Sequence, residues 1–223
     1  MVGDLDWFAS ETDSPERAEL ENLAARLSQH MDLPKDMQIR MHYSADGTVN
    51  ALATLGGNVV FFKGLTDLVQ SEDELAMVMA HEIAHVKLRH PIVAAGKGVT
   101  LASFAAVLTG VSGSTAGQWL IGSTTNLSMM SFSRDQESDA DALAAAAIVQ
   151  EYGHLQGAQD LFQRFSELEG DSLGKQIEIE AFNSHPFSDN RWAEVKRLAE
   201  NNGWQLGGKT TPLADVFGDD SNE

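Results

Sequence analysis

Between Ser71 and Pro91 the chain reads SEDELAMVMAHEIAHVKLRHP, and the pentapeptide His81 to His85 within it constrains the fold more than any other stretch. Read as a helix, His81 and His85 are i and i+4, separated by ~6 Å of rise and ~40° of rotation, so both imidazoles leave one face. Two imidazoles so placed reach one small divalent ion. Glu82 follows His81 by ~100° around the axis, beside the ligands rather than among them. A carboxylate there can take a proton from a metal-bound water without occupying a coordination position.

Local signals predict that this stretch is helical. Ser71 and Glu74 form an S-x-x-E capping box, and Glu72, Asp73 and Glu74 put negative charge on the helix N-terminus. Lys87, Arg89 and His90 crowd the last turn, and Pro91 is expected to stop it. The alternative is chance occurrence of HEIAH on an ordinary amphipathic helix. That alternative must account for a Glu and two His among AMVMA and AHV, since a buried carboxylate is costly unless something pairs with it.

Two His do not complete a catalytic metal site, which takes three protein ligands and a water. Glu137 is the best third candidate, on a helix far enough downstream for the chain to leave and return. Asp141, four residues later, shares its face and could accept the second ring N–H of a ligating His. The competing reading is a solvated acidic helix start, in which Asp135, Glu137, Asp139 and Asp141 only complement the helix dipole.

The remaining chain supplies a scaffold. Ser14 and Pro15 open a helix with Leu20, Leu23, Ala24 and Leu27 on its apolar face. Gln38–Tyr43, Val49–Leu55 and Val59–Phe62 read as strands, with a hairpin at Gly56-Gly57-Asn58. Helices follow from Ser133, from Leu155 and from Asp189 or Asn190. Residues 92–130 carry a single charge, Lys97, but Thr, Ser and Gly interrupt the apolar run. This is expected to be a buried hairpin or flap, or else a surface in peripheral contact with a membrane.

The expected fold class is α+β, mostly helical: a zincin-like domain with a small antiparallel sheet and an HExxH helix. One domain over 1–223 divides into a helix and sheet (14–70), the HExxH helix (71–91), the apolar flap (92–130), the third-ligand and C-terminal helices (131–207) and an acidic tail (208–223) expected to fray. Fifteen Lys plus Arg against 33 Asp plus Glu give a net charge of −18, which excludes phosphate-driven nucleic-acid binding. The absence of cysteine excludes disulfides and thiolate metal sites. No signal peptide is visible at the acidic start. The compartment, periplasm or cytoplasm, soluble or membrane-associated, stays open, as does the oligomeric state.

HEIAH, followed by SRDQESDADALA and SHPFSDNRW, resembles the gluzincin metallopeptidases of family M forty-eight, which include CAAX prenyl proteases, HtpX-type heat-shock proteases and quality-control relatives. The resemblance runs from about Asn50 to Trp192. It implies one zinc ion per chain held by His81, His85 and Glu137, with Glu82 as general base and later proton donor. It implies that His185 contacts the substrate or the tetrahedral intermediate. Asn50-Ala51-Leu52-Ala53 is similar to the family's N-A-x-A edge strand, which receives the substrate backbone, and Arg191 matches a downstream Arg grouped here with the substrate-binding residues. The implied activity is zinc-dependent endopeptidase hydrolysis of peptide or unfolded-protein substrates in protein quality control. The alternative is a latent or proteolytically inactive zinc-bound scaffold or chaperone of the same fold. Many relatives carry clear transmembrane helices; none reads clearly here.

Overall fold

A computed structural model describes residues 14–96, 132–172, 185 and 189–217. Helix α1 (Pro15–Ser28) leads into strand β1 (Arg40–Ser44), strand β2 (Ala51–Ala53), a 3₁₀ turn at Leu55–Gly57 and strand β3 (Asn58–Phe62). Helices α2 (Lys63–Leu68), α3 (Glu72–Lys87), α4 (Arg134–Tyr152), α5 (Gln156–Ser172) and α6 (Asp189–Asn202) follow. The expected α+β, mostly helical architecture is observed.

The sheet is mixed, not wholly antiparallel. Its strand order is β1-β3-β2, with β3 antiparallel to β2 and parallel to β1, in the register Arg40↔Asn58 to Ser44↔Phe62. Alternation along a strand reports which face is buried but not which neighbour it takes. The signal for a central strand was the unbroken apolar run of β3, whose Val59, Val60 and Phe61 are all buried. The hairpin between β2 and β3 turns through Gly56 and Gly57, both at φ 79°. A Cβ on Gly57 would lie 2.1 Å from the Gln38 carbonyl oxygen, so that turn admits no side chain.

Helix α3 runs through the centre, packed against α4, α5, α1 and β2. Its start holds half of the expected capping box. Ser71 Oγ accepts from Glu74 N at 3.2 Å, but the Glu74 carboxylate accepts from Arg164 Nε and Nη2 of α5 at 3.0 and 3.2 Å. A buried carboxylate is better satisfied by a guanidinium fork than by one backbone N–H. Ser133 caps α4 with the complete reciprocal arrangement, Gln136 being the partner. A cluster of Arg26, Glu72, Tyr152 and Glu151 ties α1, α3 and α4 together at the end remote from the two His.

Two boundaries differ from expectation. Helix α3 ends at Lys87, ahead of Pro91. Arg89 turns the chain through φ 59°, and residues 90–96 form a new helical stretch with Pro91 in its first turn, where the missing N–H costs nothing. The stretch after Gly207 is not frayed through 217. Thr211 O accepts from Glu72 N at 3.0 Å, Thr211 N donates to Asp73 Oδ2 at 2.8 Å, and Phe217 is buried. Residues 208–217 thus cover the N-terminus of α3, where backbone donors need acceptors. The apolar flap lies outside the described residues apart from its start, where Ile92 and Val93 are exposed. Among the described residues no helix is long and apolar enough to cross a membrane.

Candidate metal centre

His81 and His85 leave one face of α3, as their spacing requires, and meet Glu137 from α4 and His185 from the segment before α6. All four are buried, and one donor atom from each lies within 4.8 Å of every other. His81 Nε2 is 3.0 Å from His85 Nε2 and 3.2 Å from His185 Nδ1. Glu137 Oε1 is 3.1 Å from His185 Nδ1 and 3.5 Å from His85 Nε2. A tetrahedral ion with metal–nitrogen bonds of about 2.0–2.1 Å separates its ligand atoms by about 3.3–3.4 Å. These four spacings, 3.0–3.5 Å, are of the size that a small tetrahedral divalent ion requires.

Around the donors the charges are compensated. Asp141, one turn beyond Glu137, lies with Oδ1 2.9 Å from His81 Nδ1, the ring nitrogen that faces away from the cluster. Burial alone would lower His81, but its bonds to Asp141 and Glu137 outweigh that and push it up to about 9. Burial raises Glu137, and hydrogen bonds from His185 and His81 more than reverse it, holding it well below the usual carboxylate range. His85 goes the other way: burial, then the neighbouring His81 and His185, keep it neutral. Glu82 is 1% exposed, and Oε2 accepts from Ala53 N at 2.7 Å while Oε1 lies 3.4 Å from His185 Nε2. Burial raises its carboxyl above the usual range, against the pull of His185 and His81. Its carboxylate thus lies beside the donor cluster and is not part of it.

Comparison with known proteins agrees with this geometry. The family model described as "Peptidase family M48" matches residues 14–199. The chain belongs to this peptidase family. Mitochondrial metalloendopeptidase OMA1 of Schizosaccharomyces pombe is 30% identical over 164 residues, 72% of this chain and 47% of that protein. The Beta-barrel assembly-enhancing protease of Yersinia pestis is 28% identical over 167 residues, covering 68% and 32%. Metalloprotease YcaL of Escherichia coli is 29% identical over 157 residues, covering 66% and 57%. The chain thus spans between about a third and a little over half of these relatives.

Other residues singled out in this family member fall into three groups. Arg191, grouped with substrate contacts, is committed to the ligand side: Nε and Nη2 donate to Asp141 Oδ2 and Oδ1, both at 2.7 Å, and Nη1 makes an ion-pair contact with Glu137 Oε2 at 2.9 Å. Two buried carboxylates side by side need such a cation, and Arg191 also lines the recess beside His81 and Glu82. On the edge strand, Phe62 N donates to Asn50 O and Thr54 N to Asn58 O, so Asn50, Leu52 and Thr54 face β3. The main-chain groups of Ala51 and Ala53 face outward, and Ala53 N is taken by Glu82. The Asn50 side chain is fully buried, and among the described residues neither amide atom is hydrogen-bonded.

The third group was not legible beforehand. An apolar recess opens beside His81 and Glu82, walled by Leu65, Met77, Val78, Leu161, Phe162 and Phe165. Their helical periodicity marked some of them as core, and nothing local said that their tips converge on a cleft. His90, which sequence alone treats as a charge at a helix end, is buried with Nδ1 2.9 Å from His85 Nδ1. Phe132 stacks on the His85 ring with centroids 4.1 Å apart.

Proposed function

We propose that this chain is a zinc-dependent endopeptidase domain acting on peptide or unfolded-protein substrates in protein quality control. The observation that carries the reading is Glu82, a buried carboxylate held by Ala53 N–H beside the cluster of His81, His85, Glu137 and His185. Zinc is the ion most in keeping with an all-imidazole-and-carboxylate set of tetrahedral spacing. When bound there it would polarise the scissile carbonyl and lower the pKa of a water towards ~7.

The protein's own groups do the rest. An extended substrate adds to the outward edge of β2 at Ala51, and one of its side chains enters the apolar recess. Glu82 takes the proton of the attacking water and returns it to the leaving amine, with Ala53 N–H fixing which oxygen is free. Asp141 and Arg191 keep His81 and Glu137 oriented towards the ion.

A second reading concerns state rather than chemistry. The nearness of His185 to the other three donors favours it: with His185 as a fourth ligand the centre would be closed, whereas a catalytic site keeps one position open. His185 is then a latch that must yield before hydrolysis, after which its imidazole is free to stabilise the developing oxyanion.

Zinc content and casein cleavage of wild type, Glu82→Gln and His185→Ala test both readings. Glu82→Gln should keep about one zinc per chain and lose about 10²–10⁴ in turnover. Glu82→Gln cleaving at the wild-type rate would overturn the peptidase reading. His185→Ala cleaves faster if His185 acts chiefly as a latch, and slower if it acts chiefly on the substrate.

A further inference from the structure

The two helix-borne imidazoles are supported differently. His81 has a carboxylate behind it, since Asp141 Oδ1 lies 2.9 Å from Nδ1. His85 is 0% exposed and, among the described residues, has no carboxylate behind it: Nε2 points into the donor cluster, and Nδ1 meets Nδ1 of His90 at 2.9 Å. Phe132 lies flat against the His85 ring, leaving it little freedom to turn.

Only one arrangement of protons satisfies this pair while His85 ligates through Nε2. A neutral imidazole bound through Nε2 carries its hydrogen on Nδ1. That hydrogen needs an acceptor, because an unpaired buried N–H costs about 1–3 kcal/mol. The Nδ1 atom of His90 is the acceptor at hand, which places the His90 hydrogen on Nε2. His90 itself cannot serve as a ligand in this pose, because its Nδ1 faces the back of His85 and not the cluster. Its position is built by the turn after α3: Arg89 at φ 59° reverses the chain, and the short helix over 90–96 starts with His90 folded beneath His85. A straight continuation of α3 would carry residue 90 onto a different face from residue 85, five residues being about 140° past a full turn.

We propose that His90 is a positioning residue for the metal centre: it accepts the Nδ1–H of His85 and thereby fixes the tautomer and ring orientation that present Nε2 to the ion. This rests on the cluster of His81, His85, Glu137 and His185 being a metal site. It adds a second hydrogen bond behind a ligating imidazole, one without charge, to the charged one that Asp141 makes behind His81. An acceptor of this kind typically contributes 10–100-fold to metal affinity.

The experiment compares full-length wild type with His90→Asn, His90→Phe and His90→Leu. Zinc affinity is measured by competition with a chromogenic chelator, the visible spectrum is taken after cobalt substitution, and the melting temperature is taken after chelation. Asn places an acceptor oxygen close to the position of Nδ1; Phe and Leu fill the space without one. The expected result is about 10–100-fold weaker zinc binding with a shifted cobalt spectrum in His90→Phe and His90→Leu, and near-complete rescue in His90→Asn. The melting temperature of the chelated protein should not follow that pattern. Wild-type affinity in the Phe and Leu variants, or an equal loss in Asn, would overturn the proposal. Absence of zinc binding by wild type itself would instead overturn the metal-site reading on which it stands.

Discussion

On one side of Glu82 stand His81, His85 and Glu137 with Asp141, Arg191 and His90 behind them; on the other stand the β2 edge and the apolar recess. The first side is dense with mutual hydrogen bonds: Arg191 grips Asp141 twice, Asp141 grips His81, and His90 meets His85. The second side offers an outward strand edge and the side chains of Leu65, Met77, Val78 and Phe162, with few polar groups between them. Under the proposed function, the difference follows from what each side would hold. An ion needs donors fixed before it arrives, because a buried imidazole or carboxylate that can rotate loses both affinity and solvation. A polypeptide needs main-chain hydrogen bonds that any sequence can make, and an apolar cavity that tolerates several side chains.

The comparison can be broken most forcefully at Glu137. Glu137→Gln should weaken zinc binding by more than about a hundredfold, a larger effect than loss of any supporting residue. Equilibrium dialysis showing unchanged affinity would remove Glu137 from the ligand set and with it the division into two sides.

Proton competition is the next effect. His81 is raised to about 9, and zinc requires its Nε2 to be free of a proton. Affinity should therefore climb about tenfold per pH unit as pH rises towards about 9 and level off above. The stability of the chelated protein should move the opposite way. A raised folded pKa contributes stability fully present below the ordinary value of 6.5 and lost as pH rises through about 9. Calorimetric titration in buffers of different ionisation enthalpy reads the released proton directly. Zinc binding without proton release near pH 7 would show that Asp141 does not hold His81 in its charged form.

The smallest effect belongs to the substrate side. Val78→Phe narrows the recess without touching a donor, so zinc affinity should stay at the wild-type value. Cleavage of peptides with a bulky aromatic beside the scissile bond should fall about tenfold relative to those with alanine there. A profile of cleaved peptides unchanged by the substitution would mean that the recess does not read the substrate.

Of the centre, the part borne by single helices was readable in advance. His81, Glu82 and His85 lie within one α3 turn, and Glu137 and Asp141 within one α4 turn; the 3.6-residue repeat fixes their relative directions without any knowledge of the fold. The joining of the two helices was supported by family resemblance and not by local pattern. The ion pairs of Arg191 with Asp141 and Glu137 were not legible because they are decided by α6 packing against α4. The stretch after Gly207 reads as a tail from the acidic GDDSNE that follows it, whereas the Thr211 main chain bonds the Glu72 N–H and the Asp73 carboxylate.

What the amino-acid order determined by itself was therefore short in range: the HExxH face, the caps at Ser14, Ser71 and Ser133, the apolar faces of the helices and the hairpin at Gly56-Gly57. Each depends on φ/ψ preferences and side-chain direction over four or five residues. Tertiary structure alone decided that β3 lies between β1 and β2, that His185 meets His81 and Glu137, that Arg191 clamps Asp141 and Glu137, and that His90 folds back beneath His85. These are choices among partners distant along the chain or across a turn. They are settled by which buried charges and ring hydrogens find a complement once the core has closed.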